Sequence, residues 1–187
     1  GGQRRLAHGV FSTLTKRGDT LPDAPTLPEP VAMRWGERAP AIAAGLAEPP
    51  PLDLTLRDPA DTAQWAVQLS ADSLMPGHLR LPRGANVEKL PGFGEGAWWV
   101  QDIAASLPAR LLGPGEGRHV LDLCAAPGGK TLQLAAQGWQ VTALDISKRR
   151  LDLLKANLKR TGLKAGAVRA DALKWEPKHA FNAILLD

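Results

Sequence analysis

The groups in this sequence best placed to do chemistry are a turn of small residues and a set of separated carboxylates. Cys124, Ala125, Ala126, Pro127, Gly128, Gly129 and Lys130 follow the apolar stretch Val120, Leu121 and Leu123. A helix is predicted over 131–137. Alanine and glycine put little side chain in the way, so a ligand can approach the backbone closely. The unpaired N–H groups at the helix start face the same space. A second apolar run, Val141 to Leu144, ends on Asp145. A carboxylate at the tip of the second strand is where a Rossmann-like sheet reads the two hydroxyls of a ribose. The competing role for Asp145 is helix capping, which Ser147 could also fill. Lys130 falls in the first helical turn, where the macrodipole disfavours a cation. That placement points to an anionic partner. Cys124 is the only thiol. It reads as a small buried hydrophobe within the turn and not as a nucleophile.

Three ligands compete for such a turn. The tail Gly128-Gly129-Lys130-Thr131 suggests a phosphate-binding loop, but that motif needs glycine where Cys124 stands. The dinucleotide fingerprint needs a glycine spacing that this turn lacks. S-adenosylmethionine has an adenosine and a methionine but no phosphate. Its methionine end suits a small-residue turn, and its ribose suits Asp145.

The elements that must hold these groups follow from periodicity. Strands are predicted over 119–124, 140–145, about 166–170 and about 182–187. The helix over 148–161 carries Leu151, Leu154 and Leu158 as one core stripe and is closed by Gly162. A helix is also expected over 102–112, with a strand over 97–100 before it. Strand alternating with helix predicts a parallel, doubly wound sheet with its ligand at the carboxyl ends of the strands. The turn 124–130, Asp145, Asp171 and Asp187 all fall at those ends.

Upstream, residues 36–96 read as a small α+β lobe. Glu37–Ala47 is predicted helical, with Pro40 in its first turn. Leu52 to Arg57 alternates, so it reads as a half-buried strand with Leu52, Leu54 and Leu56 inward. Residues 61–72 read as a helix with Trp65 and Leu69 on one face, and His78–Leu81 as a short strand. Residues 1–35, with prolines at 22, 25, 28 and 30, read as a linker or the tail of an upstream domain.

Charge is uneven. Residues 1–100 hold ten Lys/Arg against eleven Asp/Glu, and residues 101–187 hold thirteen against eight. A basic second half suits a polyanion, although a solvated helix face over 148–160 would give the same balance. One cysteine forms no internal disulfide, no metal-ligand spacing occurs, and no apolar run is long enough to span a membrane. A cytoplasmic, metal-free monomer is expected. Tryptophans 98, 99, 139 and 175 could stack on bases, but core packing is the plainer role. The four histidines show no constellation.

Asp122-Leu123-Cys124-Ala125-Ala126-Pro127-Gly128-Gly129-Lys130-Thr131 resembles the first motif of the Sun/Fmu-type (RsmB-like) RNA cytosine-5 methyltransferases. Leu144-Asp145-Ile146-Ser147 resembles the second motif. Arg150 with Asn157 to Gly162 resembles the helix that follows it, Ala170-Asp171 the third motif, and Ile184 to Asp187 the start of the fourth. Pro91-Gly92-Phe93 and Val100-Gln101-Asp102 resemble the approach to the cofactor domain. The likeness is strong over about 91–187 and weak before that.

The resemblance implies a class I methyltransferase domain over 97–187, an RNA-contacting lobe before it, S-adenosylmethionine as cofactor and ribosomal RNA of the small subunit as substrate. Cys124 to Lys130, Asp145, Asp171 (beside the adenine) and Asp187 are then cofactor-binding. It also implies a covalent mechanism. A cysteine thiolate adds to carbon-6 of cytosine, carbon-5 attacks the methyl group, and a base removes the carbon-5 proton. In the family the nucleophile and a second cysteine follow the fourth motif. Neither is found here, so the chain is expected to be a central fragment, truncated at both ends and inactive alone. Two alternatives stay open: another class I methyltransferase acting on protein or a small molecule, and a non-catalytic RNA-binding module with a vestigial cofactor fold.

Overall fold

A computed structural model describes residues 2–18, 20 and 24–187. The chain divides into two compact units, Gly1–Pro50 and Pro51–Asp187. In the first, α1 (Gly2–Arg17), α2 (Glu29–Trp35) and α3 (Ala39–Ala47) are helical. Of the two readings of 1–35, a linker or the tail of an upstream domain, helices over 2–17 and 29–35 do not suit the linker. Leu6, Val10 and Leu14 lie four residues apart, a helical repeat that the neighbouring basic residues and prolines obscured. The structure corrects the placement of 36–47 in the small lobe, since α3 belongs to the first unit. Pro40 sits at the start of α3, where its missing N–H costs nothing. Pro22 lies outside the described residues.

The second unit begins with β1 (Leu52–Leu56), α4 (Thr62–Leu69), β2 (His78–Leu81) and β3 (Trp98–Val100). The three strands form an antiparallel sheet in the order β2-β1-β3. Leu54, Leu56, Leu79, Leu81 and Trp98 face Leu69 of α4 across one core. Two expectations change here. Residues 98–100 pair with β1, so the sheet of the small lobe runs past the expected boundary at 96/97. The strand β1 is also buried on both faces, because Asp53 and Thr55 are covered as well as the leucines. Alternation showed which side chains share a face but not that α5 would cover the polar one.

The helix α5 (Ile103–Leu111) is capped by Asp102, whose carboxylate accepts the Ala104 N–H at 2.8 Å. Then come β4 (His119–Leu123), α6 (Gly129–Ala136), β5 (Gln140–Asp145), α7 (Lys148–Thr161), β6 (Gly166–Arg169) and β7 (Ala183–Leu186). All four strands are parallel, in the order β6-β5-β4-β7. The chain therefore moves outward from β4 to β6 and then reverses to the other side of β4. That reversal opens a crevice at the carboxyl end of β4. Leu151, Leu154 and Leu158 of α7 pack on Ala143 and Leu132, as the core stripe predicts. Ser147 caps α7, and Gly162 ends it at φ 69°.

The far end of α7 is tied to the loop before β3. Arg160 donates to the carbonyls of Phe93 at 2.7 Å and Trp98 at 3.0 Å and lies over the Phe93 ring at 4.2 Å. Arg57 donates to the Thr161 carbonyl at 3.2 Å. Gly96 makes this contact possible, since a Cβ there would overlap the backbone of Arg160 and Thr161.

Candidate functional site

A cavity of about 340 Å³ opens at the carboxyl end of β4, within the size range of small-ligand sites. Cys124, Ala125, Ala126, Pro127, Gly129 and Lys130 form one wall, and Val100, Gln101 and Asp102 another. Ala105, Asp122, Arg150 and Asp187 complete it. The turn is shaped by two backbone features. Cys124 takes φ 56°, and Gly128 takes φ 110° as the residue before α6. A side chain at Gly128 would be strained and would also press on Leu154 at 2.9 Å. The Ala126–Pro127 peptide bond is cis.

Most of the predicted residues therefore meet in one place, with three exceptions. Gly128 packs behind the wall and shapes it from there. Asp145 is 3% exposed and sits beneath the turn. Its two oxygens accept the N–H groups of Ala126 at 3.1 Å and Ser147 at 2.8 Å. Arg150 lies over it, 3.8 Å from Oδ2, and donates to the Ala126 carbonyl. The capping of α7 falls to Ser147, which leaves Asp145 to hold the turn. Asp171 is not on the cavity wall. Its carboxylate accepts the Leu173 N–H at 3.0 Å and so organises the turn over 171–175.

The position of Lys130 calls for an anionic partner, the carboxylate of S-adenosylmethionine or an RNA phosphate; in this structure its anionic neighbour is Asp187 of the same chain, at 2.6 Å. Cys124 is exposed, which corrects the expectation of a small buried hydrophobe. The left-handed backbone at 124 turns its side chain out of the sheet and onto the cavity wall. Trp98, Trp99 and Trp139 are buried core residues. His119 and His179 do come together, with ring centroids 5.0 Å apart, at the opposite end of β4 from the cavity. No group of three or more metal-ligating side chains occurs among the described residues.

Sequence reasoning missed Asp122, Gln101 and Asp102 as cavity groups. Asp122 lies inside β4, where its position in an apolar run was the available signal. It is almost fully buried, and its one short contact is the Thr131 hydroxyl, which donates to it at 2.5 Å. Burial pushes its carboxyl up to about 6, against the opposing pull of Thr131 and Lys130.

The donor set fits a nucleoside-linked amino acid. Small residues allow close approach, Lys130 offers a cation to a carboxylate, and Asp122, when ionised, offers acceptor oxygens to an ammonium group.

Residues 109–187 match the family described as 16S rRNA methyltransferase RsmB/F. This segment is therefore similar to the RsmB/F methyltransferases. Over 117 residues the chain is 44% identical to ribosomal RNA small subunit methyltransferase B of Salmonella arizonae, covering 60% of this chain and 27% of that protein. The protein of the same name from Citrobacter koseri is 44% identical over 120 residues, covering 62% of this chain and 28% of the other. A crystal structure of a methyltransferase homolog from Pyrococcus horikoshii superposes with a TM-score of 0.65 at 25% identity, covering 74% of this chain and 50% of that one. The chain spans about a quarter of the length of the curated relatives it matches. The RsmB/F match covers β4 to β7 and therefore the whole small-residue turn. S-adenosylmethionine is the cofactor that this methyltransferase fold takes, and the cavity wall fits it. No helix is long and apolar enough to cross a membrane among the described residues.

Proposed function

We propose that this chain is the cofactor-binding part of an enzyme that methylates carbon-5 of cytosine in small-subunit ribosomal RNA. The observation that carries the reading is the cavity at the carboxyl end of β4, walled by the turn 124–130 within the RsmB/F segment. S-adenosylmethionine, when bound, supplies the methyl group. The chain's own residues hold and orient it. Lys130, on exchanging its partner Asp187, would meet the methionine carboxylate and Asp122 the ammonium; Asp145 beneath the turn and Asp171 beyond the wall are assigned to the ribose and the adenine. Asp145 keeps lone pairs free for hydroxyl donors after accepting its two backbone N–H groups.

RNA is the proposed partner, drawn to the basic surface of the second half of the chain. Lys148, Arg149, Lys155 and Lys159 of α7 are all exposed. Affinity should fall with salt, with a slope of about 0.7 per phosphate neutralised on a single strand. A filter-binding series with no salt dependence would remove this electrostatic mode.

Covalent activation of cytosine needs a thiolate at carbon-6. The only thiol in these residues, Cys124, sits in the cofactor wall, so by themselves the 187 residues are proposed to transfer no methyl group. The test uses tritiated S-adenosylmethionine and small-subunit ribosomal RNA, comparing this chain with the full-length protein. Label at cytosine carbon-5 from the full-length protein alone is expected. Label on another base would overturn the substrate assignment. Label at carbon-5 from the 187 residues alone would return Cys124 to the list of nucleophiles.

A further inference from the structure

Behind the cavity wall lies a buried chain of polar side chains that the cofactor reading leaves unexplained. The Trp99 indole N–H donates to Gln101 Oε1 at 2.9 Å. Gln101 Nε2 donates to Gln133 Oε1 at 3.0 Å and to the Ala105 carbonyl at 3.3 Å. Gln133 Nε2 donates to the Ser106 carbonyl at 2.9 Å. Trp99, Gln101, Gln133 and Ser106 are all nearly inaccessible to solvent.

The direction of this chain is fixed by its ends. An indole N–H can only donate, so the Gln101 oxygen must face it. The Gln101 amide nitrogen then faces Gln133, which must present its oxygen. The Gln133 nitrogen is left to meet a carbonyl, and Ser106 supplies one. Turning either amide over would set donor against donor at one of its links and acceptor against acceptor at the other. A buried amide with no partner is costly, so the chain holds one arrangement.

Its location gives that rigidity a use. The Gln101 backbone N–H donates to the Asp53 carbonyl of β1 at 3.1 Å, which ties it to the small sheet. The Gln101 side chain lines the cavity and lies against Gly129, the first residue of α6; a Cβ on Gly129 would rest 3.6 Å from the Gln101 amide carbon. Gln133 sits one turn further along α6 and does not touch the cavity.

We propose that Gln101 and Gln133 form a buried amide relay that holds the first turn of α6, and with it the cofactor turn, against the small antiparallel sheet. Gln101 and Gln133 are positioning residues in this relay, and their role rests on the cavity taking S-adenosylmethionine.

The test measures S-adenosylmethionine affinity and melting temperature of the full-length protein and two variants. Gln133→Met removes the acceptor from Gln101 without touching the cavity. It also takes the donor from the Ser106 carbonyl, and with both buried bonds gone cofactor binding is expected to weaken at least roughly tenfold. Gln101→Glu keeps the shape and the bond from Trp99, but its carboxylate faces two acceptors, Gln133 Oε1 and the Ala105 carbonyl. At pH 8 this variant should bind the cofactor at least roughly tenfold more weakly than the unaltered protein. At about pH 5, burial keeps the introduced acid protonated, and it can donate again. The deficit should then shrink severalfold relative to the unaltered protein at the same pH. A packing role alone would lower the melting temperature without this pH-reversible deficit. Cofactor affinity unchanged in folded Gln133→Met overturns the relay even if Gln101→Glu fails to fold. Failure of the unaltered protein to bind S-adenosylmethionine overturns the cofactor reading itself, and the relay with it.

Discussion

Asp53 of the antiparallel sheet and Asp122 of the parallel one are both buried within a central strand, and the two are treated in opposite ways. Asp53 of β1 receives both arms of Arg80 at 2.7 and 2.8 Å, the Ile103 N–H at 3.1 Å and a contact from His78 at 3.3 Å. Burial alone would raise its pKa, but the bonds from Arg80, Ile103 and His78 outweigh that, and the carboxyl lies below its ordinary value. Asp122 of β4 has the Thr131 hydroxyl and a more distant Lys130, and burial wins. A carboxylate that serves the fold is surrounded by donors. One left short of donors beside a cavity is free to meet a ligand.

The largest expected effect comes from breaking the first arrangement. Asp53→Ala strips Arg80, His78 and the Ile103 N–H of their shared acceptor. It should cost about 3–5 kcal/mol, measured by denaturant unfolding at pH 7. A cost under about 1 kcal/mol would mean that the cluster is solvated in solution. Because the Asp53 pKa is lowered by folding, its contribution is fully present above about pH 4 and is lost as pH falls through the folded value.

Asp122 should show the reverse sign. Its pKa is about 6 in the fold, against an ordinary value near 4. The folded state therefore holds the proton more tightly, and stability declines as pH rises from about 4 to about 6. Asp122→Asn keeps an acceptor for Thr131 and removes the charge. It should stabilise the ligand-free protein by up to about 3 kcal/mol at pH 8, with the gain vanishing near pH 4. A gain independent of pH would sink the assignment of the shift to Asp122. Calorimetry on the same variant at pH 8 should show weaker S-adenosylmethionine binding, since the ammonium loses its anionic acceptor.

A smaller effect is expected at the cofactor turn. Asp145→Ala should weaken S-adenosylmethionine binding by roughly 10- to 150-fold, about 1.5–3 kcal/mol for a charged hydrogen bond. Asp171→Ala should weaken it less, by about 2- to 12-fold, as for a neutral one. No change at Asp171 would confine that residue to the turn over 171–175.

The parallel sheet was largely legible in the sequence, and the small lobe only in part. Residues 140–145 and 148–161 have the bounds that periodicity predicts, because Asp145, Ser147 and Gly162 carry their own stop and start signals. The strand β3 was recognised as a strand but assigned to the wrong sheet. Pairing is a long-range choice that three residues cannot encode. The helix α4 ends at Leu69, short of the expected Asp72, because Ser70 adopts φ 49° there without a glycine to announce it. At the site, the turn and Lys130 were readable as types in a pattern. Asp122 and Gln101 were not, since their roles come from what α6 brings against them.

The helix α7 begins at the cofactor turn, where Arg150 reaches Ala126, and ends where Arg160 grips the loop before β3 and Arg57 grips the carbonyl of Thr161. At about 1.5 Å per residue its fourteen residues span roughly 21 Å. The lobe and the cofactor domain thus share a strut as well as a peptide link. In evolutionary terms they are one exchangeable part and not two. A graft that replaces the lobe from a distant relative must carry α7 and Gly96 along with it, or the cofactor turn arrives without its far anchor.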